Sequence, residues 1–312
     1  MTTARDHHAS QLPPPTLEEV SPDIYAYVQL DGSWGLNNTG FIKGSDGLIL
    51  IDTCFTEART KAYLEAVRRV SSLPMKTLIN THHHGDHTHG NYLVSEAVII
   101  GHELCRQTVI ETGLQALHPL FPNVDWGDLE LAPPFVTFND RMDLYSGDLK
   151  IELIFMGPAH TTNDIVAWVP DRKLLFAGDL LFNQGTPFMA MGSVSGSLQA
   201  LKRLRNLGAE TIVPGHGSVC GPEVMDDVGA YLTFIQKTAH QAFEAGLSPL
   251  EASRQADLGR FGEWHDSERI AGNLHRAYSE LRWEPAGTVL DLAPMVADMV
   301  SLNGGQPVRC LA

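Results

Sequence analysis

The sequence predicts an α/β (α+β) fold in which two sheets of short strands pack face to face with helices outside, continued by a helical C-terminal extension. Three observations predict it. Short apolar segments punctuated by Gly, Asn and Pro occur in two successive groups, amphipathic helical patterns interrupt them, and strand texture stops near residue 221. A helix carries one apolar stripe and a sheet two apolar faces, so two sheets with helices outside bury both kinds of surface.

The Pro-rich, polar start reads as a flexible arm over 1–20, with order expected from about Pro22. Segments 24–30, 40–43 and 48–51 follow as an antiparallel meander. The spacing of Ala62, Leu64, Ala66, Val67 and Val70 predicts a helix over 57–70, with Thr56 as its N-cap. Segment 76–80 returns to strand and leads directly into a run of histidines. Strand 97–101 and a helix over 103–113 come next, then an irregular, acidic insertion to Pro134 that would serve as a pocket wall. Strands at 135–138, 149–155, 165–169 and 174–177 form a second meander, and a helix over 198–207 leads into strand 211–213. These elements define a catalytic domain over 21–220. From 221 to 312 only helical patterns occur, which predicts a helical subdomain.

Composition narrows the function. Lys and Arg number 22 against 37 Asp and Glu, a formal charge of −15, so no basic surface is available for nucleic-acid phosphates. No apolar run approaches the roughly 20 residues of a membrane span. The N-terminal residues lack the apolar core of a secretory signal, which predicts a cytoplasmic protein. Cys54, Cys105, Cys220 and Cys310 form no Cys-x-x-Cys pair, so they read as reduced thiols rather than a disulfide framework or a thiolate zinc site.

The chemistry is carried by Thr81-His82-His83-His84-Gly85-Asp86-His87, which follows a strand without a break. On an extended chain alternate side chains share a side, so His82 and His84 point together while Asp86 and His87 curl in from the turn. Three further segments, Pro158-Ala159-His160-Thr161, Ala177-Gly178-Asp179 and Pro214-Gly215-His216-Gly217, each set one ligand-type residue at a predicted strand end beside Gly or Pro. Imidazole and carboxylate donors suit Zn²⁺, and the same set admits iron or manganese.

The order His-x-His-x-Asp-His, a later single His, Gly-Asp and Gly-His resembles the metallo-β-lactamase superfamily, over residues 22–220. The resemblance implies an αββα sandwich and two Zn²⁺, one held by His82, His84 and His160 and the other by Asp86, His87 and His216, with Asp179 between them. We assign Asp86 a further catalytic role in orienting the attacking hydroxide or moving a proton. β-Lactamases of this type are exported and lack the Asp at the position of Asp179, so a resistance enzyme is disfavoured. The flavodiiron branch carries Glu in place of His84, and the RNA-processing branch needs a basic surface. What remains is a hydrolase of thioesters or related carbonyls, a lactonase, an iron-dependent persulfide dioxygenase, or a metal-binding protein without activity. The C-terminal segment offers no cluster of Lys and Arg to the carboxylates of glutathione, which ranks glutathione thioesters below other acyl thioesters. The segments Gly32-Ser33-Trp34-Gly35-Leu36-Asn37-Asn38-Thr39-Gly40 and 177–182 resemble a bacterial branch with cyclases and thioesterases of aromatic polyketide pathways.

Trp34, Phe182 and Met191 are candidate walls of one substrate pocket, with core packing as the competing reading. His83 and His89 read as supports of the ligands, Asp52 as a hydrogen-bond partner of the His-rich loop, and Cys54 as a buried inert thiol. Lys202, Arg203 and Arg205 read as a solvated helix face or a docking patch for an acidic acyl-carrier protein. His265 and His275 are candidates to reach the site from the helical tail, which is itself a candidate homodimer contact. The expected partner is a small-molecule or carrier-bound substrate, with no nucleic acid and no membrane.

Overall fold

In the computed structural model, which describes residues 14–29, 31–114 and 120–312, strict in-and-out alternation along the strands builds a four-layer arrangement. The first sheet contains β1 (Thr16–Ser21), β2 (Ile24–Val28), β3 (Thr39–Lys43), β4 (Leu48–Ile51), β5 (Met75–Ile79), β6 (Val98–His102) and β7 (Val136–Phe138), side by side in that order. β1 to β4 pair antiparallel, and β4 to β7 pair parallel. The second sheet contains β8 (Arg141–Ser146), β9 (Leu149–Phe155), β10 (Ile165–Val169), β11 (Leu174–Phe182) and β12 (Thr211–His216), antiparallel except for the parallel pair β11 and β12.

The alternation assigns each face. On β4, Ile49 and Ile51 join Ile24, Ile42 and Ile79 against Leu153, Ile165, Ala167 and Phe176 of the second sheet. Leu48 and Leu50 face the other way and pack on Tyr63, Ala66 and Val67 of α1 (Glu57–Val70). On β10, Val166 and Trp168 turn outward, where α4 (Val194–Arg205), α5 (Val224–Glu244) and α7 (Arg269–Leu281) cover them. Fully burying each such aliphatic chain is worth roughly 1.5–3 kcal/mol, so a one-residue slip of register would be prohibitive. The short α2 (Gly85–Thr88), α3 (Glu103–Thr112), α6 (Pro249–Gln255) and α8 (Leu292–Leu302) complete the helices used below.

The predicted spans of β4, α1, β9 and β10 coincide with the structure, and Thr56 caps α1 by accepting from Arg59 N. Three expectations need correction. Residues 16–19 are paired in β1 rather than lying in an arm, because the antiparallel ladder with β2 satisfies their backbone; residues 1–13 lie outside the described residues, as do Leu30 and part of the 114–134 insertion. The strand β8 went unread because only its alternate residues are half-buried and the others are exposed. The helices after residue 221 do not form a core of their own: Val228, Tyr231, Leu232, Ile270 and Leu274 share one apolar cluster with Trp168, Leu175 and Ile212. No helix among the described residues is long and apolar enough to cross a membrane.

Candidate metal centre

The predicted donors meet along one edge, where β4, β5, β11 and β12 end. β5 stops at Ile79 and the chain enters α2 with His84 extended just before it, which turns His82 and His87 toward the second sheet. Gly85 is required there, because a Cβ would lie 2.4 Å from the His89 ring. Asp52, at the end of β4, accepts from Thr81 N (2.8 Å) and Thr81 Oγ1 (2.7 Å) and takes His87 Nδ1 at 2.8 Å. His160 sits in a loop tied by Asp164, whose carboxylate accepts from Thr161 N and Thr161 Oγ1. Asp179 lies within β11 after Gly178, whose φ of +51° and close approach to Thr81 favour glycine. His216 ends β12. Asn38 holds that loop by donating from Nδ2 to Pro214 O (3.0 Å) and Gly217 O (2.6 Å).

The donor atoms form two groups, His82, His84, His160 and Asp179 in one, and Asp86, His87 and His216 in the other, each with its atoms within 4.8 Å of one another. Asp179 belongs to both by distance. Its Oδ2 is 3.3 Å from His160 Nε2 and 3.3 Å from His216 Nε2, and its Oδ1 is 3.0 Å from His87 Nε2. His216 Nε2 lies 3.4 Å from Asp86 Oδ2. Donors on a tetrahedral ion at about 2.0–2.1 Å stand roughly 3.3 Å apart, so these separations fit.

The hydrogen-bond census agrees. His82 Nε2 is buried without a hydrogen-bond partner, although such groups are nearly always satisfied, and His87 Nε2 and Asp179 Oδ1 have only each other, at 3.0 Å. Their far sides are occupied: His87 Nδ1 by Asp52, His82 Nδ1 by Thr81 Oγ1 at 3.1 Å, and His84 Nε2 by Met191 Sδ at 3.1 Å. That pattern leaves His82 Nε2, His84 Nδ1 and His87 Nε2 as the inward donors. His216 is oriented by ring stacking on Phe182, centroid to centroid 5.0 Å. Burial, with neighbouring histidines, pushes His82 and His84 well below the usual imidazole range, which keeps them neutral. Burial also opposes charge on Asp179, but His216, His87 and His160 outweigh it and hold the carboxyl well below its ordinary value. The residues therefore fit a two-ion site in donor type and spacing; at His87 and His216, burial opposes charge but Asp179 and Asp86 outweigh it and hold both rings above the ordinary imidazole value, so bound ions would take the place of protons there.

Around this centre the predicted substrate residues separate. Trp34 and Phe182 line the metal pocket together with Phe55, Phe121, Phe188 and Arg269. Met191 does not share that pocket; it lines a neighbouring one beyond His84. Trp34 is a fixed wall: its Nε1 donates to Glu268 Oε1 (2.8 Å), Phe188 meets it edge-on at 5.1 Å, and the Arg269 guanidinium lies 3.9 Å from its ring centre. One face of the indole is thus taken by the protein itself.

The supports fall largely where expected. His83 N donates to Asn163 Oδ1 (3.1 Å), and His83 Nδ1 pairs with Asn163 Nδ2 at 3.0 Å. His89 pairs with Phe55 O and stacks on Phe55. Cys54 is fully buried, and burial pushes its thiol up to about 12. His275 pairs instead with Asp298 of α8 at 2.7 Å, and the backbone of His265 is tied to Gln184 and Thr186. Arg203 donates to Phe155 O and Arg205 pairs with Asp226, so both are engaged within the chain.

Sequence reasoning missed the role of α7. Arg269, Asn273, Arg276 and Glu280 recur at spacings of four, three and four, one face of a helix. Each grips segment 186–195: Arg269 Nη1 donates to Thr186 O (2.9 Å), Asn273 accepts from Met189 N (2.7 Å), Arg276 Nε donates to Ala190 O (3.0 Å), and Glu280 accepts from Val194 N (2.6 Å). The buried polar residues of α7 thereby position Phe188 and Met191 beside the metal donors.

Comparison with known proteins completes the assignment. The family model described as Metallo-beta-lactamase superfamily matches residues 32–216. A metallo-beta-lactamase type 2 of Bacillus sp. (strain 170) is 25% identical over 218 residues, spanning 65% of this chain and 77% of its own length. A hydroxyacylglutathione hydrolase of Methylococcus capsulatus is 31% identical over 136 residues, 44% of this chain and 45% of its own. Among solved structures, a metallo-beta-lactamase from Pontibacter korlensis superposes with a TM-score of 0.59 at 21% identity, covering 70% of this chain and 99% of that one, a likeness of fold alone. The matched span runs from Gly32 to His216 and contains all the donors described above, and the chain belongs to the metallo-beta-lactamase superfamily.

Proposed function

We propose that the protein is a dinuclear zinc hydrolase that attacks an acyl thioester or a related activated carbonyl. The observation that carries this reading is the position of Asp179, whose two oxygens stand at about the same distance from donors of both groups. His82, His84 and His160 would hold one ion and Asp86, His87 and His216 the other. Bound zinc ions would supply Lewis acidity toward a carbonyl and lower the pKa of a water to near neutrality. The chain's own residues do the rest. Asp52 fixes the His87 ring, and His84 is held from behind by Met191. Asp86 is the least buried donor, with 14% of its side chain exposed, and is placed to pass a proton between the reacting centre and solvent. The hydroxyacylglutathione hydrolase relative, a thioester hydrolase by its name, favours thioesters over other carbonyls.

The aromatic walls Trp34, Phe121, Phe182 and Phe188 favour a second, narrower reading, a thioesterase or cyclase acting on an aromatic polyketide-like acyl group. The test is metal analysis of protein purified without added metal, followed by assay with zinc against alkyl and aryl thioesters, lactones and a β-lactam. About two metal equivalents and thioester turnover are expected, and preference for the aryl series would select the narrower reading. One iron per chain with oxygen consumption on a persulfide would replace the hydrolase by a dioxygenase.

A further inference from the structure

The metal pocket is too small for an acyl group as it stands. Among Trp34, Phe55, Phe121, Phe182 and Phe188 it leaves about 40 Å³. A ligand pocket commonly holds roughly 300 Å³ or more, so one wall must yield. Phe182 is fixed within β11, Phe188 by the segment that α7 grips, Trp34 by Glu268 and Arg269, and Phe55 by stacking on His89. The Phe121 ring meets Trp34 at 5.6 Å and Phe55 at 5.4 Å, and a space of about 220 Å³ lies between residues 121–124 and residues 306–310. Phe121 is therefore the wall with room behind it.

What closes that room is the C-terminal segment. The chain leaves α8 through Gly304 and Gly305, at φ +67° and +80°, and Asn303 Nδ2 fixes the base of the turn by donating to Pro307 O (2.8 Å). Val308 then packs in one cluster with Trp34, Phe55, Phe121 and Phe188. Cys310 Sγ donates to Trp34 O (3.2 Å), and Arg59 Nη2 donates to Leu311 O. Beyond Val308 no residue of the segment is buried, and Leu311 and Ala312 border an open groove of about 520 Å³ beside the start of α1. A segment with one buried side chain and space on both flanks opens more easily than the body of the fold.

We propose that residues 308–312 are a strap that latches the Phe121 wall of the metal pocket and lifts to let an acyl group reach the metal donors. The substrate in this inference rests on the hydrolase reading above, whereas the lifting does not. Cys310 reports on it directly: burial pushes the docked thiol up to about 12, and lifting returns it toward its ordinary value and exposes it.

The test treats zinc-loaded protein with iodoacetamide and follows each cysteine by peptide mass spectrometry. Cys310 is expected to react about tenfold more slowly than in the free peptide 306–312, yet well ahead of the buried Cys54 and Cys105. Val308→Asp and Arg59→Gln loosen the strap from its two sides and are each expected to speed Cys310 severalfold. Circular dichroism confirms the fold, and Arg59→Gln carries the test if Val308→Asp does not fold. Reaction of wild-type Cys310 only at the rate of Cys54, reaction at the rate of the free peptide, or no change in the folded variants overturns the strap. Gating is read from kcat/KM for S-acetyl and S-benzoyl N-acetylcysteamine: the variants are expected to raise the benzoyl-to-acetyl ratio about threefold, through KM. An unchanged ratio in variants whose Cys310 reacts faster overturns the gate. If no thioester is turned over, the hydrolase reading fails, while the alkylation rates still decide the strap.

Discussion

Two segments flank the substrate side of the metal donors, and they are held in opposite ways. The segment 82–87 is anchored by its own strand and by neighbours on the same sheet: Asp52 from β4 binds both Thr81 and His87, and Thr88 Oγ1 donates back to His84 O. The segment 186–195 has no strand of its own and is held by α7, from about eighty residues further along the chain. The first segment presents ligands and the second presents walls. The difference teaches that metal chemistry and substrate selection are supported by different parts of this fold that meet where Met191 touches His84, so variants away from that contact are expected to affect one part and leave the other intact.

The sharpest test of that separation is Asp179→Asn. Loss of the carboxylate shared by both donor groups is expected to lower turnover on the order of a thousandfold and to reduce bound metal, with urea unfolding of the metal-free protein little changed. Full turnover with two metals would break the comparison on the ligand side. Next in size is Arg276→Ala. It leaves Ala190 O and Thr288 O without their charged donor inside a fully buried site and is expected to cost about 3 kcal/mol in urea unfolding. The metal affinity of the molecules that remain folded should be unchanged; a fall in affinity would show that the two segments are coupled. Asp52→Asn should weaken zinc binding by about 10–100-fold in competition with a chelator, because the amide no longer enforces the orientation of His87. The smallest effect belongs to Glu280→Ala, which removes the carboxylate that accepts from the first backbone amides of α4 and should cost about 1–2 kcal/mol. A shift in substrate preference without a change in metal content would confirm that this end of the molecule shapes the walls.

Much of the fold was legible because the strands between the two sheets alternate cleanly. Ile49 and Ile51 against Leu48 and Leu50 could be read as a buried strand from composition alone, and Thr56 announced α1. β1 and β8 were not legible, since they sit at sheet edges with exposed, charged residues whose pairing depends on the neighbouring strand. The motif 32–40 was noticed as a resemblance. Its physical role is structural as well: Asn37 Nδ2 donates to Thr53 O (2.8 Å) and Asn38 binds the loop around His216.

The sequence by itself determined the donor set. His82, His84, Asp86 and His87 are neighbours along the chain, and the order in which His160, Asp179 and His216 follow them carried the family resemblance that implied the full set. Only the tertiary structure decided the pockets. Trp34 meets Arg269 and Glu268 from the far end of the chain, and Met191 parts from Trp34 because the backbone of 186–195 follows α7 rather than any strand. Ligands are specified by short-range spacing, whereas a cavity is the space left between surfaces that are remote in sequence, and nothing in a local pattern encodes their distance.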